Sequence, residues 1–246
     1  MSSSNPALKR AMKIARPQQG FDRNGAMDVN DVIVRTLATF GVVLATGAVG
    51  WALHNMLLGV IGALVGLGLG IANSMKKNPS PPLILAYAGF EGLFLGSISV
   101  FLEQLYPGIV IQAVLATLSV FGAVLFLFTN AKVRATPKLR KFFMIAIVGY
   151  LIFSVINFFL SVFNVIDSPW GVLTSAHIMG IPLGIFVGIF AVILASISLI
   201  IDFTDIEDAV RAGLPEKMAW YFAFALTVTI VWLYVEMLRL IAISRD

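Results

Sequence analysis

Long apolar runs separated by short polar joints dominate this chain. The runs lie near Val32–Leu53, Met56–Ser74, Leu83–Leu102, Gly108–Thr129, Phe142–Phe163, Ile178–Ile201 and Met218–Ile243. Each approaches the roughly 20 residues that a helix rising about 1.5 Å per residue needs to cross a hydrocarbon layer about 30 Å thick. The joints are His54-Asn55, Met75–Pro82, Glu103–Pro107, Asn130–Lys141, Asn164–His177 and Asp202–Lys217. A transmembrane barrel would instead alternate polar and apolar positions in segments of about ten residues. The pattern therefore predicts an all-α polytopic membrane protein with seven transmembrane helices. Residues 1–31 read as a polar, flexible cytoplasmic tail, 32–243 as the membrane domain, and 244–246 as a short outer C-terminus.

Composition narrows the picture. Of 246 residues, 59% are hydrophobic before 21 glycines are counted, and 12% are charged. That charged share is roughly half the usual figure for soluble domains, too little to cover a water-soluble globule. There is no cysteine, so disulfide staples and thiolate metal sites are excluded. The first apolar run starts too late, and is too long, for a signal peptide.

The positive charges set orientation. Lys9, Arg10, Lys13, Arg16 and Arg23 lie in the tail, with Arg35 just inside the first span. Every second crossing returns to basic residues: Lys76 and Lys77, then Lys132, Arg134, Lys138, Arg140 and Lys141, then Arg211 and Lys217. By the positive-inside rule the N-terminus is cytoplasmic and the C-terminus outside; of the 17 basic residues only Arg239 and Arg245 disagree. The net charge of +4 thus reflects topology, with some contact to anionic headgroups, and no nucleic-acid partner is implied. Asp28 or Asn30 is placed to cap the first span.

Glycines recur at intervals of four: Gly62, Gly66 and Gly70, then Gly92 and Gly96, then Gly180, Gly184 and Gly188. Such stripes let helices approach closely in lipid, and packing is the favoured reading. Ionisable residues inside spans say more, because a carboxylate at the bilayer centre costs at least ~2.5–3.5 kcal/mol to insert. Glu91 lies about 12 Å into the third span with no basic neighbour in it, so it must find a partner, take a proton or face water. Asp202 stands where the sixth span reaches the cytoplasm; if the helix continues, Asp205 shares its face. Asp205, Glu207 and Asp208 read first as a solvated helix end. Glu236 and Arg239 are three apart near the outer end of the seventh span and read as an intrahelical ion pair. Asn73, Asn157 and Gln112 read as interhelical hydrogen-bonding groups. His54 and His177 are lone joint residues, so no metal site is expected. No catalytic motif is present, and the chain is read as non-enzymatic.

Ile201-Asp202-Phe203-Thr204-Asp205-Ile206 closing the sixth span and Met237-Leu238-Arg239-Leu240-Ile241 in the last resemble the Bax inhibitor-1 family. Within it, the Asn73–Lys77, Tyr87–Gly96 and Trp232–Arg239 stretches resemble bacterial, actinobacterial-type members. The resemblance covers about residues 30–243, through the order and spacing of loose motifs. It implies six helices around a central seventh. It also implies a pH-sensitive calcium leak governed by one carboxylate on the sixth helix and one on the seventh. Two close carboxylates cannot both ionise cheaply, so such a pair titrates as a unit.

Asp202 matches the sixth-helix carboxylate. Alignment on Leu238-Arg239 places Thr229, about 18 Å along the seventh span, where the second is expected. Glu236, at about 28 Å, is too far along to substitute. Glu91 from the third span is the candidate replacement, in a Glu91–Thr229–Asp202 cluster. The expected function is an inner-membrane calcium or proton leak, or a regulator of ion homeostasis, gated by buried carboxylates. Calcium enters as cargo, with no cofactor. The alternative is a non-conducting protein that restrains a membrane-embedded protease in a stress response, as some relatives do.

Overall fold

A computed structural model of the chain describes residues 25–163, 165–166, 168 and 170–245. The tail basic residues Lys9, Arg10, Lys13, Arg16 and Arg23, and the joint residue Asn164, lie outside the described residues. Among the described residues, seven helices are long and apolar enough to cross a membrane. They are α1 (Val29–Leu53), α2 (Met56–Met75), α3 (Pro81–Leu105), α4 (Ile109–Thr129), α5 (Pro137–Val162), α6 (Leu183–Arg211) and α7 (Ala219–Arg245). Of the seven, α7 is the most buried.

Their ends have local causes. Asp28 is the N-cap of α1, and its N–H donates to Asp31 Oδ2 at 2.9 Å. Asn30 lies inside the first turn instead of capping it. His54 adopts a left-handed conformation (φ 48°), and the Asn55 side chain then accepts the N–H groups of Leu57 and Leu58. That pair of residues splits one long apolar stretch into α1 and α2. Prolines begin α3 and α5, where the missing N–H costs nothing. Glu103 accepts the N–H groups of Gly108 (2.6 Å) and Val110 (3.0 Å), fixing the start of α4. At the end of α6, Gly213 has φ +64° and the Leu214 N–H bonds Ala209 O at 3.2 Å.

Several boundaries correct the sequence reading. Residues 25–31 are not a free tail: α1 starts at Val29, and Met27 is 3% exposed. The apolar run from Ile178 does not begin α6. His177–Ile178 (β1) and Ile181–Pro182 (β2) pair as an antiparallel hairpin instead. Both turn residues, Met179 (φ 53°) and Gly180 (φ +81°), are left-handed, the geometry that a two-residue hairpin of this hand demands. Gly180 therefore belongs to a turn and leaves the glycine stripe. Acidic residues from Asp202 onward end the apolar run but not the helix, which continues to Arg211. The expected C-terminal tail is helical to Arg245.

The chain forms two compact units: residues up to Phe101 with Asp202–Val228, and Leu102–Ile201 with the residues from Thr229. In the first, α1, α2 and α3 meet backbone to backbone. A methyl added at Gly62 of α2 would lie 2.7 Å from Phe90 O, and one at Gly96 of α3 would overlap Gly47 O of α1. In the second, Gly184 and Gly188 of α6 face Ile243 and Leu240 of α7. Lipid gives hydrophobic side chains no reason to leave it, so such close contacts supply the attraction between helices.

Candidate functional site

In the first unit, Tyr87 and Glu91 are one helical turn apart on α3, which places them on one face. The Tyr87 hydroxyl hydrogen-bonds the Glu91 carboxylate. Gly66 of α2 lies directly beneath: a methyl there would stand 3.1 Å from Glu91 Oε1. On the other side of Tyr87, Phe224 of α7 sits edge-on with ring centroids 5.1 Å apart. Ile84, Tyr87 and Phe224 form a buried cluster, against which Leu69 and Trp220 pack. Glu91 is thus half-buried between a glycine and an aromatic cluster, about 15 Å along its helix.

The same unit carries the acids of α6. Because the helix is continuous, Asp202 and Asp205 share a face. Asp202 is half-buried and Asp205 is 8% exposed, so Asp205 is not a solvated helix-end residue. Glu207 is ion-paired to Arg211 at 2.5 Å.

In the second unit, Thr229 is buried, with its hydroxyl 3.3 Å from Ser198 Oγ of α6. Two turns further along α7, Glu236 is 3% exposed and both of its oxygens are engaged. Oε1 accepts the Tyr150 hydroxyl from α5 and the Trp232 indole N–H at 3.0 Å. Oε2 pairs with Arg239 at 2.5 Å, and the Arg239 guanidinium lies 5.8 Å from the Tyr150 ring centre. Ala191 and Leu194 of α6 pack against Tyr150 and Trp232, so this charge cluster lies among apolar side chains. The intrahelical pair was legible from spacing; its aromatic partners were not. Trp232 stands four residues before Glu236, a usable signal, whereas nothing in the sequence links Tyr150 to it. Tyr87, four before Glu91, was equally available.

Among the described residues, no group of three or more His, Asp or Glu side chains is arranged to hold a metal ion.

The family model described as Bax inhibitor 1 like matches residues 5–246. The chain belongs to the Bax inhibitor-1 family. No curated protein matches it. As a Bax inhibitor-1 family member with seven membrane-length helices, it is a multi-pass membrane protein. In this Bax inhibitor-1 chain the acid of the seventh helix, Glu236, is paired with Arg239, and a further acid at membrane depth, Glu91, stands on α3.

Proposed function

We infer that this protein is a non-enzymatic, pH-sensitive leak for calcium or protons in the cell's inner membrane, with the N-terminus cytoplasmic. Glu91 is the switch group, and Asp202 and Asp205 are the acids that draw cations to the cytoplasmic part of α6. Thr229, where the resemblance expects an acid, offers a hydroxyl, which cannot carry charge.

The observation that carries this reading is the setting of Glu91. Its carboxyl is bonded by Tyr87 and laid on Gly66, with Phe224 beyond Tyr87, and none of these groups brings a positive charge. A neutral Glu91 suits that setting. An ionised one must recruit water or a cation, because an unaccompanied charge at this depth is costly. Loss of the proton therefore loosens the α2–α3 contact and admits cations, and the leak rises with pH.

The test is calcium flux into proteoliposomes as a function of pH for the wild type, Glu91→Gln and Asp202→Asn. Glu91→Gln should abolish the pH response. A response identical to wild type in that variant overturns the reading.

A further inference from the structure

The segment that precedes α1 is fastened to the joint between α6 and α7. Ala26 bridges Pro215, and the Met27 N–H donates to Leu214 O at 2.7 Å. Met27 and Leu214 are 3% and 1% exposed, so apolar burial seats the contact. Two turns into α1, Arg35 holds Asp31 Oδ1 at 3.1 Å with one nitrogen and Glu216 with another. Its guanidinium carbon lies 5.9 Å from the Trp220 ring centre. Trp220 in turn packs against the Ile84, Tyr87 and Phe224 cluster, and Tyr87 bonds Glu91.

We propose that residues Gly25–Asp28 and Arg35 form a strap whose seating on the α6–α7 joint controls access to Glu91 through Trp220 and Tyr87. The case rests on contiguity and unequal strength. Every link from Arg35 to Glu91 is a direct contact within one compact unit, which supplies the physical chain that coupling requires. The outermost link is the weak one. Glu216 is more than half exposed, and solvent-exposed ion pairs hold little. The inner links are ring contacts onto a buried cluster, through the partly buried Trp220, and a hydrogen bond. A strap weak at its rim and tight inside releases without unfolding the bundle. When Arg35 lets go, Trp220 loses its cation and the Phe224–Tyr87 contact loses its outer support. The Tyr87–Glu91 bond then opens more often.

This inference rests on Glu91 being the switch group, yet its test reads Glu91 itself and needs no ion flux. The chain has no cysteine, so Ala26→Cys with Pro215→Cys introduces one pair at the bridging positions, both away from the buried core. The reconstituted protein is treated at fixed pH with dicyclohexylcarbodiimide, a reagent for carboxyls in apolar surroundings, and modification of Glu91 is followed by mass spectrometry. Oxidation, which locks the strap, should slow Glu91 modification by about threefold or more relative to the reduced form of the same polypeptide, a modest effect for coupled residues. Arg35→Gln should accelerate it. Trp220→Leu added to the cysteine pair should remove the redox dependence. Equal Glu91 modification in the oxidised and reduced forms overturns the proposal, even if Arg35→Gln fails to fold.

Discussion

Tyr150 of α5 donates its hydroxyl to the same Glu236 oxygen that accepts the Trp232 indole, while Arg239 takes the other oxygen. Glu236 is therefore held from two helices, and each partner has a different value. Removing the acid alone strands a buried guanidinium. Glu236→Ala is expected to lose about 3–5 kcal/mol of stability, the usual result of breaking a buried ion pair from one side. Tyr150→Phe keeps the ring beside Arg239 and loses only a bond to a charged group, costing about 1.5–3 kcal/mol. Glu236→Leu with Arg239→Leu should be less damaging than Glu236→Ala, because no charge is left unpaired. Unfolding of the purified protein in mixed micelles measures all three. A double variant worse than Glu236→Ala would show that the pair itself, and not its neutrality, holds α5 to α7.

The glycines make a graded set. Gly96→Ala and Gly62→Ala push a methyl onto carbonyl oxygens of neighbouring helices, which cannot yield as a side chain can. Each should cost about 1–3 kcal/mol as overpacking. A methyl on Gly68 would meet nothing within 4 Å, so Gly68→Ala should be neutral or slightly stabilising, given the helix preference for alanine of up to about 1 kcal/mol. The same micelle unfolding assay ranks them, and equal effects at Gly62 and Gly68 would refute the packing role.

These contrasts show where the sequence was informative. The number and type of the long helices followed from run length, because membrane thickness fixes it and no other element satisfies its own backbone there. The hairpin at His177–Pro182 did not follow, since an apolar run says nothing about whether Met179 adopts a left-handed turn. The polarity of Asp202–Asp208 marked the end of an apolar stretch, but helix continuity depends on backbone bonding, so α6 ran on. Asn157 reads as an interhelical group and does join two helices: it donates to Trp170 O at 3.1 Å and accepts, at 2.8 Å, the N–H of Val172, which starts the short helix Val172–Ser175 in a joint that periodicity cannot describe. Asn73 does bridge, donating from α2 to Leu83 O of α3 at 3.1 Å. Glu91 stood out because it is an acid in an apolar run. Tyr150 and the Met27 strap carry no such signal, being ordinary residues made important by what lies opposite them.

Orientation has a direct test. Lys77 and His177 are both exposed and lie in joints expected on opposite sides of the membrane. Because the chain is free of cysteine, Lys77→Cys and His177→Cys each carry one reactive thiol. In intact cells a membrane-impermeant maleimide should label the cysteine at 177 and spare that at 77 until the membrane is permeabilised. The reverse labelling pattern would invert the topology that the basic residues dictate.

The strap also decides which tail deletions are informative. Deleting residues 1–27 would distinguish a leak from a tail-dependent partner protein only if those residues did nothing for the fold. Met27, however, is 3% exposed and bonded to Leu214. Burying one such side chain is worth about 1.5–3 kcal/mol, enough to confuse a loss of binding with a loss of stability. Deletion of residues 1–24 spares the strap, whereas deletion of 1–28 removes it and should lower thermal stability in detergent measurably. With stability matched, the shorter deletion separates the two readings. A leak carried by Glu91 keeps its flux and its pH response, while a protein that acts by tethering a protease through its basic tail loses co-purification with that protease. Retained flux with unchanged pH dependence after removal of residues 1–24 is the outcome expected here.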